Sequence, residues 1–495
     1  MNPAARHATT ELVDCVLALD VGSSSARTLL FDFEGRLIEG VGAQQPYTAR
    51  TTPDGGWEID AAELTRIAGQ AISAACQQMR ARGMKPAAVA VDTFWHSLVG
   101  VDSGDNPTTP ILHPFDTRSA GAAKELATRV DNRAQHKRTG CVLHPSYPPA
   151  KLLWLSQTQP DAFRRAVHWM SAGEFLFLKL LGRPAASTSM LSATGLWNQN
   201  AGSYDDEVMA ALPVSRDRFA DIGEIDQPVT GQCAWPELSG IPWFPALGDG
   251  ACDNIGSGCT ARDVFALMVG TSGAMRAVVE ANTIEIPEGL FCYRVDRKRF
   301  VLGGALSNGG AVFAWMKRTL RLPDDNVEIE RELEALPPAS HGLTILPLFA
   351  GERSTGWRDG ARAAIAGLGA NTSPLEIMRA SLEAVALRFR NVYEIMLRAL
   401  GEPRLLVASG AALLHSPVWT QMMADTLQHA VTPCLEREAT SRGAALLALE
   451  RLGRTTAPPA SLGAPVQPIE ENGRLYLAEL ARQRALYAKL FEENS

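Results

Sequence analysis

Apolar residues follow two periods along this chain. From Leu17 to Asp32 (LALDVGSSSARTLLFD) an apolar run ends in a carboxylate, crosses a small-residue turn and resumes as a second apolar run, the pattern of a β-hairpin with Asp20 at its tip. Phe265 to Val279 (FALMVGTSGAMRAVV) repeats it, pairing Ala18 with Ala266, Leu19 with Leu267, Val21 with Val269, Gly22 with Gly270, Ser24 with Ser272 and Ala26 with Ala274. Two copies of one hairpin predict a chain of two related halves. Helical spacing appears between them and after them. Asp60 to Glu63 is a capping signal followed by Leu64, Ile67, Ala68, Ala71, Ile72, Ala75 and Met79, which predicts a helix reaching Gly83. Ser373-Pro374-Leu375-Glu376 combines an N-cap serine, a proline at the first helical position and a glutamate two further on; the stripe behind it runs to Leu400 and stops before Gly401. Residues 171–182 form an apolar helix, Ser416-Pro417 and Ser441 to Ala445 open two more, and Arg474 to Asn494 is a charged outer helix. Ala87–Val91 and Leu405–Ala408 are short buried strands, and residues 1–11 are a loose leader.

The turns of the two hairpins hold the first candidate chemistry. Gly22, Ser23 and Ser24 in one, and Gly270, Thr271, Ser272 and Gly273 in the other, let several N–H groups converge on an anion such as phosphate. Met268 stands where the first copy has Asp20, so only the first turn brings a carboxylate for a divalent cation. One nucleotide site between two lobes is the reading; an ordinary tight hairpin is the alternative for either stretch alone. The strand Ala87–Val91 delivers Asp92 to Ser97 to a loop, where His96 is either a ligand contact or a hydrogen-bonded structural group. Asp249, held between glycines in GDGACDNIGSG (residues 248–258), either faces a cleft or caps the helix that follows, and Asp253 has the same two options. Asp116 and Arg118 form a polar cluster. Lys151 follows a proline-rich stretch, either meeting a ligand or anchoring a helix start. Gly309 and Gly310 end a flexible glycine-rich stretch, and Gly410 and Ala411 are small enough to let a flat ring or ribose approach the backbone.

Length and composition exclude several classes. The chain has 495 residues, enough for two sizeable cores, with 46% hydrophobic and 20% charged residues and a net charge of −7. That balance favours neither nucleic acid nor an anionic membrane. Eight cysteines are scattered without a CxxC pair, so neither a zinc site nor a disulfide framework is indicated, and a reducing cytoplasm is the simplest home. The first residues lack a signal peptide's apolar stretch, and no apolar run reaches the roughly 18 residues of a membrane span. There is no GxxxxGK[ST], which excludes a P-loop kinase.

In order along the chain, DVGSSSAR (20–27), FWHSLVGVD (94–102), FDTR (115–118), SYPPAKLLWL (146–155), GDGACDNIGSG (248–258), GTSGAMR (270–276), GERS (351–354), AIAGLGANTSPLEIMRASLEAV (364–385) and SGAALLHSPVWTQMMAD (409–425) resemble the FGGY family of carbohydrate kinases, over nearly the whole length. FWHS, GDG and GTSGAMR are most similar to the gluconate kinases of that family. Two positions depart from its pattern: Pro114 replaces a tryptophan common two residues before Asp116, and Ala411 and Ala412 replace glycines common after Gly410.

The resemblance implies an α/β, two-lobed actin-like or sugar-kinase (ribonuclease H-like) fold with the active site in the interlobe cleft, residues 1–258 forming the sugar and metal side and 259–495 the nucleotide side. It implies ATP and Mg²⁺ as cofactors, Asp249 as the base for the acceptor hydroxyl with Asp253 as its rival, and Asp20 as the metal-side carboxylate. The phosphates would lie against Gly22 to Ser24 and Gly270 to Gly273, adenosine beside Gly410, Ala411, Gly309 and Gly310, and the sugar or sugar acid against His96, Lys151 and Glu174. Phosphorylation of gluconate to 6-phosphogluconate is the implied reaction. A pentulose kinase of the same family is the alternative, and an actin-like ATPase or a sugar-binding regulator lies further off. A homodimer is one expected assembly, with no nucleic-acid or membrane partner.

Overall fold

The computed structural model describes residues 13–454 and 458–492. The leader expected over residues 1–11 and the end of the expected outer helix at Asn494 lie outside them. Two mixed sheets organise the chain. The first contains β1 (Val13–Val21), β2 (Ser25–Phe31), β3 (Leu37–Pro46), β4 (Met84–Thr93) and β5 (Leu247–Gly248), in the order β5-β4-β1-β2-β3. The second contains β6 (Val264–Val269), β7 (Gly273–Glu280), β8 (Phe291–Arg294), β9 (Arg299–Leu306), β10 (Leu405–Ser409) and β11 (Val431–Pro433), in the order β8-β9-β7-β6-β10-β11. In each sheet an antiparallel hairpin carries a third antiparallel strand on one side and two parallel strands on the other, so the repeat seen in the hairpins extends to the topology of both halves. β8 is the added edge strand.

The repeat is imperfect at one point. In the first hairpin Val21 pairs with Ala26, whereas in the second Val269 pairs with Gly273 and Met268 with Ala274. The second turn is one residue tighter. Gly273 therefore takes the place of Ala26, and the expected match of Ala26 with Ala274 fails in the return strand, where a slip of one residue exchanges the faces of the sheet.

Alternation along β1 explains how it is covered. Leu17, Leu19 and Val21 point into a core with the helix Ala61–Ala81, and Val16 and Ala18 point into another that includes Ala444, Ala445 and Ala448. A strand covered on both faces reads as a continuous apolar run, as this one does. The helix Ala61–Ala81 starts where Asp60 accepts from the backbone N–H of Glu63 at 2.9 Å, and its buried stripe includes the seven apolar residues named from spacing. The helix Pro374–Leu400 has the full reciprocal bond pattern between Ser373 and Glu376 and stops at Gly401, as expected. The outer helix spans Glu470–Phe491, starting four residues before the expected Arg474. Among the described residues no helix is long and apolar enough to cross a membrane.

The second face of the first sheet is covered from the other half of the chain. The helix Ala439–Arg451, which starts two residues before the expected Ser441, packs on β1 and β4 and crosses the helix Asp249–Gly256. At the crossing a Cβ on Gly256 would be driven into the carbonyl of Ala439, and a Cβ on Gly443 into that of Cys252. Backbone meets backbone there, and no side chain fits. Gly443→Val is expected to destabilise the protein by about 3 kcal/mol or more, at or beyond the upper end for an overpacked core, read as a lower unfolding temperature. Gly121→Val, at an exposed position where a Cβ would meet nothing and φ is not left-handed, is the control for introducing the side chain.

Candidate active site

β1 and β4 run parallel and end together, which pairs Asp20 with Asp92. Asp92 is fully buried, and neither of its carboxylate oxygens has a hydrogen-bond partner among the described residues. Burial, then the charge of Asp20, pushes the Asp92 carboxyl well above the usual range; burial also raises Asp20, against the pull of Arg27, whose Nε is 3.6 Å away. Two carboxyls side by side away from water call for a proton or a cation between them. The pair fits Mg²⁺, a hard cation that takes one or two carboxylates and fills the rest of its octahedron with water and phosphate oxygens. Arg27 also bonds Glu438 at 2.5 Å, tying this hairpin to the second half.

The turns suit an anion. Gly22 donates to Ser25 O and Gly270 to Ser272 O, each at 3.0 Å, and a Cβ on either glycine would meet nothing closer than 3.7 Å, so it would fill the space over the turn. Gly309 donates to Thr271 O at 3.1 Å and Gly310 to Gly270 O at 2.7 Å. Gly410 has φ +90°, and a Cβ there would be driven into Val269 O, while the Ala412 methyl faces Gly310. The structure thus gathers Gly309, Gly310 and Gly410 around the second turn, with Ala412, not the expected Ala411, against Gly310.

One cavity joins these turns to the acceptor side. Ser23, Thr271, Ser272, Gly273, His96, His113, Asp249, Arg276, Tyr293 and Arg353 all line it, with Pro114 and Phe115 at its wall. Asp249 is the first residue of its helix, and its Oδ1 accepts from the N–H of Gly250 at 2.7 Å. Burial pushes its carboxyl up to about 6, although Arg276 pulls the other way. Asp253, one turn on, is held by Arg276 at 3.2 Å and does not line the cavity. Arg276 also donates to Gly250 O and Asn254 Oδ1, so that guanidinium is committed to the helix carrying Asp249.

His96 lies in the cavity with φ +63°. Its Nδ1 is 2.5 Å from the carbonyl of Ala193, which can only accept, so Nδ1 carries the hydrogen and Nε2 is left as an acceptor. Burial pushes this imidazole down to about 3. It is neutral, so it can meet a sugar or sugar acid only by hydrogen bonding and not as a charge. Lys151 needs a correction. Its Nζ donates to His96 O at 3.2 Å, His113 O at 2.9 Å and Ser146 O at 3.0 Å, and the residue is 1% exposed. With all three donors taken, it staples the loops that carry His96 and His113 and has none left for a sugar. Glu174 is likewise consumed: its Oε2 accepts from Ser171 N at 2.8 Å in a capping box, and it lines a separate depression with Arg183 and Arg218. Asp116 and Arg118 pair with each other, and Arg118 also reaches Glu58 at 2.8 Å, bracing the loop behind Pro114.

Two residues here had no assigned role from sequence. Asp92 had a signal, since VAVD repeats the apolar-run-then-aspartate pattern of LALD. Arg353 lay inside the GERS motif with nothing to distinguish it from a surface arginine.

The family model for the N-terminal domain of the FGGY family of carbohydrate kinases matches residues 15–252, and that for its C-terminal domain matches residues 265–450. The chain belongs to the FGGY family of carbohydrate kinases. It is therefore a carbohydrate kinase, and the two sheets above are the two lobes of that fold. A gluconokinase from Bacillus licheniformis is 26% identical over 465 residues, covering 89% of this chain and 88% of its own. The crystal structure of a gluconate kinase from Lactobacillus acidophilus has a TM-score of 0.88 at 24% identity, covering 96% of this kinase and 98% of itself. A ligand-bound xylulose kinase from the same organism also has a TM-score of 0.88 at 24% identity, covering 97% and 99%.

The bonding of Lys151 has a measurable consequence in the kinase. Lys151→Met takes the ammonium from three carbonyls; His113 O keeps the N–H of Asp116 at 3.0 Å, and each of the other two costs about 1–3 kcal/mol where water cannot reach it. The variant is expected to unfold at a lower temperature and to lose turnover equally on charged and neutral acceptors, measured by calorimetry and an acceptor panel.

Proposed function

We propose that this kinase transfers the γ-phosphoryl group of ATP to gluconate, giving 6-phosphogluconate. The observation that carries the reading is the shared cavity, lined by a half-buried carboxylate, a neutral histidine acceptor and two turns that suit an anion, in a chain similar over most of its length to a gluconokinase. When bound, MgATP would supply the phosphoryl group and neutralise much of its charge. Asp249 accepts the proton of the acceptor hydroxyl. His96 Nε2 accepts a hydrogen bond from another hydroxyl. Asp20 and Asp92 hold the cation, the backbone of Gly22 to Ser24 and of Gly270 to Gly273 holds phosphate oxygens, and Gly309, Gly310, Gly410 and Ala411 border the adenosine. We divide the lobes at 258/259 and place the enzyme in the cytoplasm, which eight free cysteines support. A pentulose acceptor is the competing reading, supported by the equal TM-score of a xylulose kinase.

Turnover of gluconate, xylulose, ribulose and glycerol, measured as ATP consumed, separates these readings; a preference for xylulose would replace gluconate while leaving the base in place. Asp249→Asn is expected to lower kcat by ~10²–10⁴ with ADP affinity nearly unchanged. Because the base must be unprotonated, wild-type kcat/KM should be flat above pH 7 and fall as pH drops through about 6. Near-normal turnover of Asp249→Asn would remove the assignment, and an effect confined to Asp253→Asn would transfer it. Asp20→Ala should weaken Mg²⁺-dependent turnover much more than binding of metal-free ADP, followed by calorimetric titration with and without the metal.

A further inference from the structure

Two guanidinium groups line the active-site cavity, and they differ in one respect. Arg276 is paired with the carboxylate of Asp253, through an Nη1 that also lies within bonding distance of Gly250 O and Asn254 Oδ1. Arg353 has no carboxylate partner among the described residues. Its one side-chain hydrogen bond is from Nη2 to the carbonyl of Leu306 at 2.9 Å, and its Nε is buried without an acceptor. The neighbouring acid in the chain, Glu352, is already paired with Arg388. Arg353 is half-buried, and a guanidinium with a buried Nε unspent is costly unless an anion completes it; its planar fork matches a carboxylate.

The anion could come from the acceptor or from the nucleotide, and the surroundings of Arg353 favour the acceptor. Arg353 lines the cavity with His96 and Tyr293, whose rings lie 5.2 Å apart, and its charge is felt by both. The carboxyl of Asp249 responds instead to Asp20, Arg276 and Asp253. We propose that Arg353 binds the carboxylate end of the acceptor and makes the kinase selective for aldonic acids over neutral polyols and ketoses. This rests on the reading of the cavity as an acceptor site and extends it to the group that recognises the acid. Lys151 and His96, the residues first expected to do so, are respectively spent on carbonyls and uncharged.

Gluconate and its neutral amide, gluconamide, test the idea without any mutation, since they differ only at the group that would meet Arg353. Calorimetric titration of the wild-type kinase is expected to show gluconate binding at least about tenfold more tightly, the size of one charge-assisted contact. Equal affinities overturn the proposal. Arg353→Gln should abolish the difference, raising the gluconate KM about tenfold or more while ADP affinity and gluconamide binding stay within twofold, and Arg353→Lys should keep part of it. A difference that persists in Arg353→Gln, or a loss of ADP affinity in its place, assigns the guanidinium elsewhere and leaves the gluconate reading standing. Conversely, a wild-type kinase that phosphorylates another aldonic acid in preference, with the Arg353→Gln effect intact, removes gluconate and retains Arg353. Preference for a neutral pentulose over every acid overturns both.

Discussion

Two helix backbones touch where the helix Asp249–Gly256 crosses the helix Ala439–Arg451, and the placement of Asp249, the proposed acceptor base, depends on that contact. Gly256 and Gly443 allow it, because a side chain at either would enter a carbonyl of the other helix. Asp249 opens the first helix, so the crossing sets how far its carboxylate projects into the cavity. From the other side, the Trp95 indole lies so close to Gly248 and Gly250 that a Cβ at either would strike it. Helix and indole fix the backbone on both sides of Asp249, and a base on a fixed backbone, as proposed for it, needs little reorganisation as the proton transfers.

The duplicated halves use one scaffold for two kinds of work. In both sheets a parallel neighbour ends beside the hairpin tip, pairing Asp20 with Asp92 in the first and Met268 with Ser409 in the second. The first pair is acidic and suits a cation; the second is uncharged, and beyond it Gly410 and the loop of Gly309 and Gly310 come against the turn. The tighter second turn puts Gly273 in place of Ala26, and its bare Cα leaves room for the Phe389 ring, into which a Cβ would be driven. A site that must hold a cation on one side and phosphate and nucleoside on the other is built from that asymmetry within a common topology.

Much of the fold was legible because its signals are local. Ser373, Pro374, Glu376 and Gly401 mark both ends of one helix without reference to anything distant, and the apolar run of β1 reports its own burial on two faces. The hairpin slip was not legible, since register is decided by hydrogen bonding between strands and an alignment of small residues carries no information about it. The roles of Lys151 and Glu174 failed for a related reason: a residue type says which protons or lone pairs are on offer, while their partners come from loops remote in sequence or from the capped helix end itself. Asp92 and Arg353 are the converse, ordinary in sequence and conspicuous only once the fold leaves their charges buried and incompletely paired.

On the proposed roles, the carboxylates of Asp20 and Asp92 stand at the ends of β1 and β4, and Arg353 is the guanidinium of the cavity that has no carboxylate partner among the described residues. An acidic acceptor entering the cavity has one favourable orientation. Its carboxylate is drawn to the guanidinium and kept from Asp20, Asp92 and the phosphates, which would repel it at short range with little water between to screen them. The hydroxyl presented to Asp249 is then the one furthest from the carboxylate, which in an extended six-carbon aldonic acid is the terminal hydroxyl. On this reading Arg353 does more than select for charge. By fixing which end of the acceptor approaches Asp249, it also determines which carbon receives the phosphate, whereas a neutral ketose in the same cavity would have only hydroxyl contacts, such as that to His96, to set its direction.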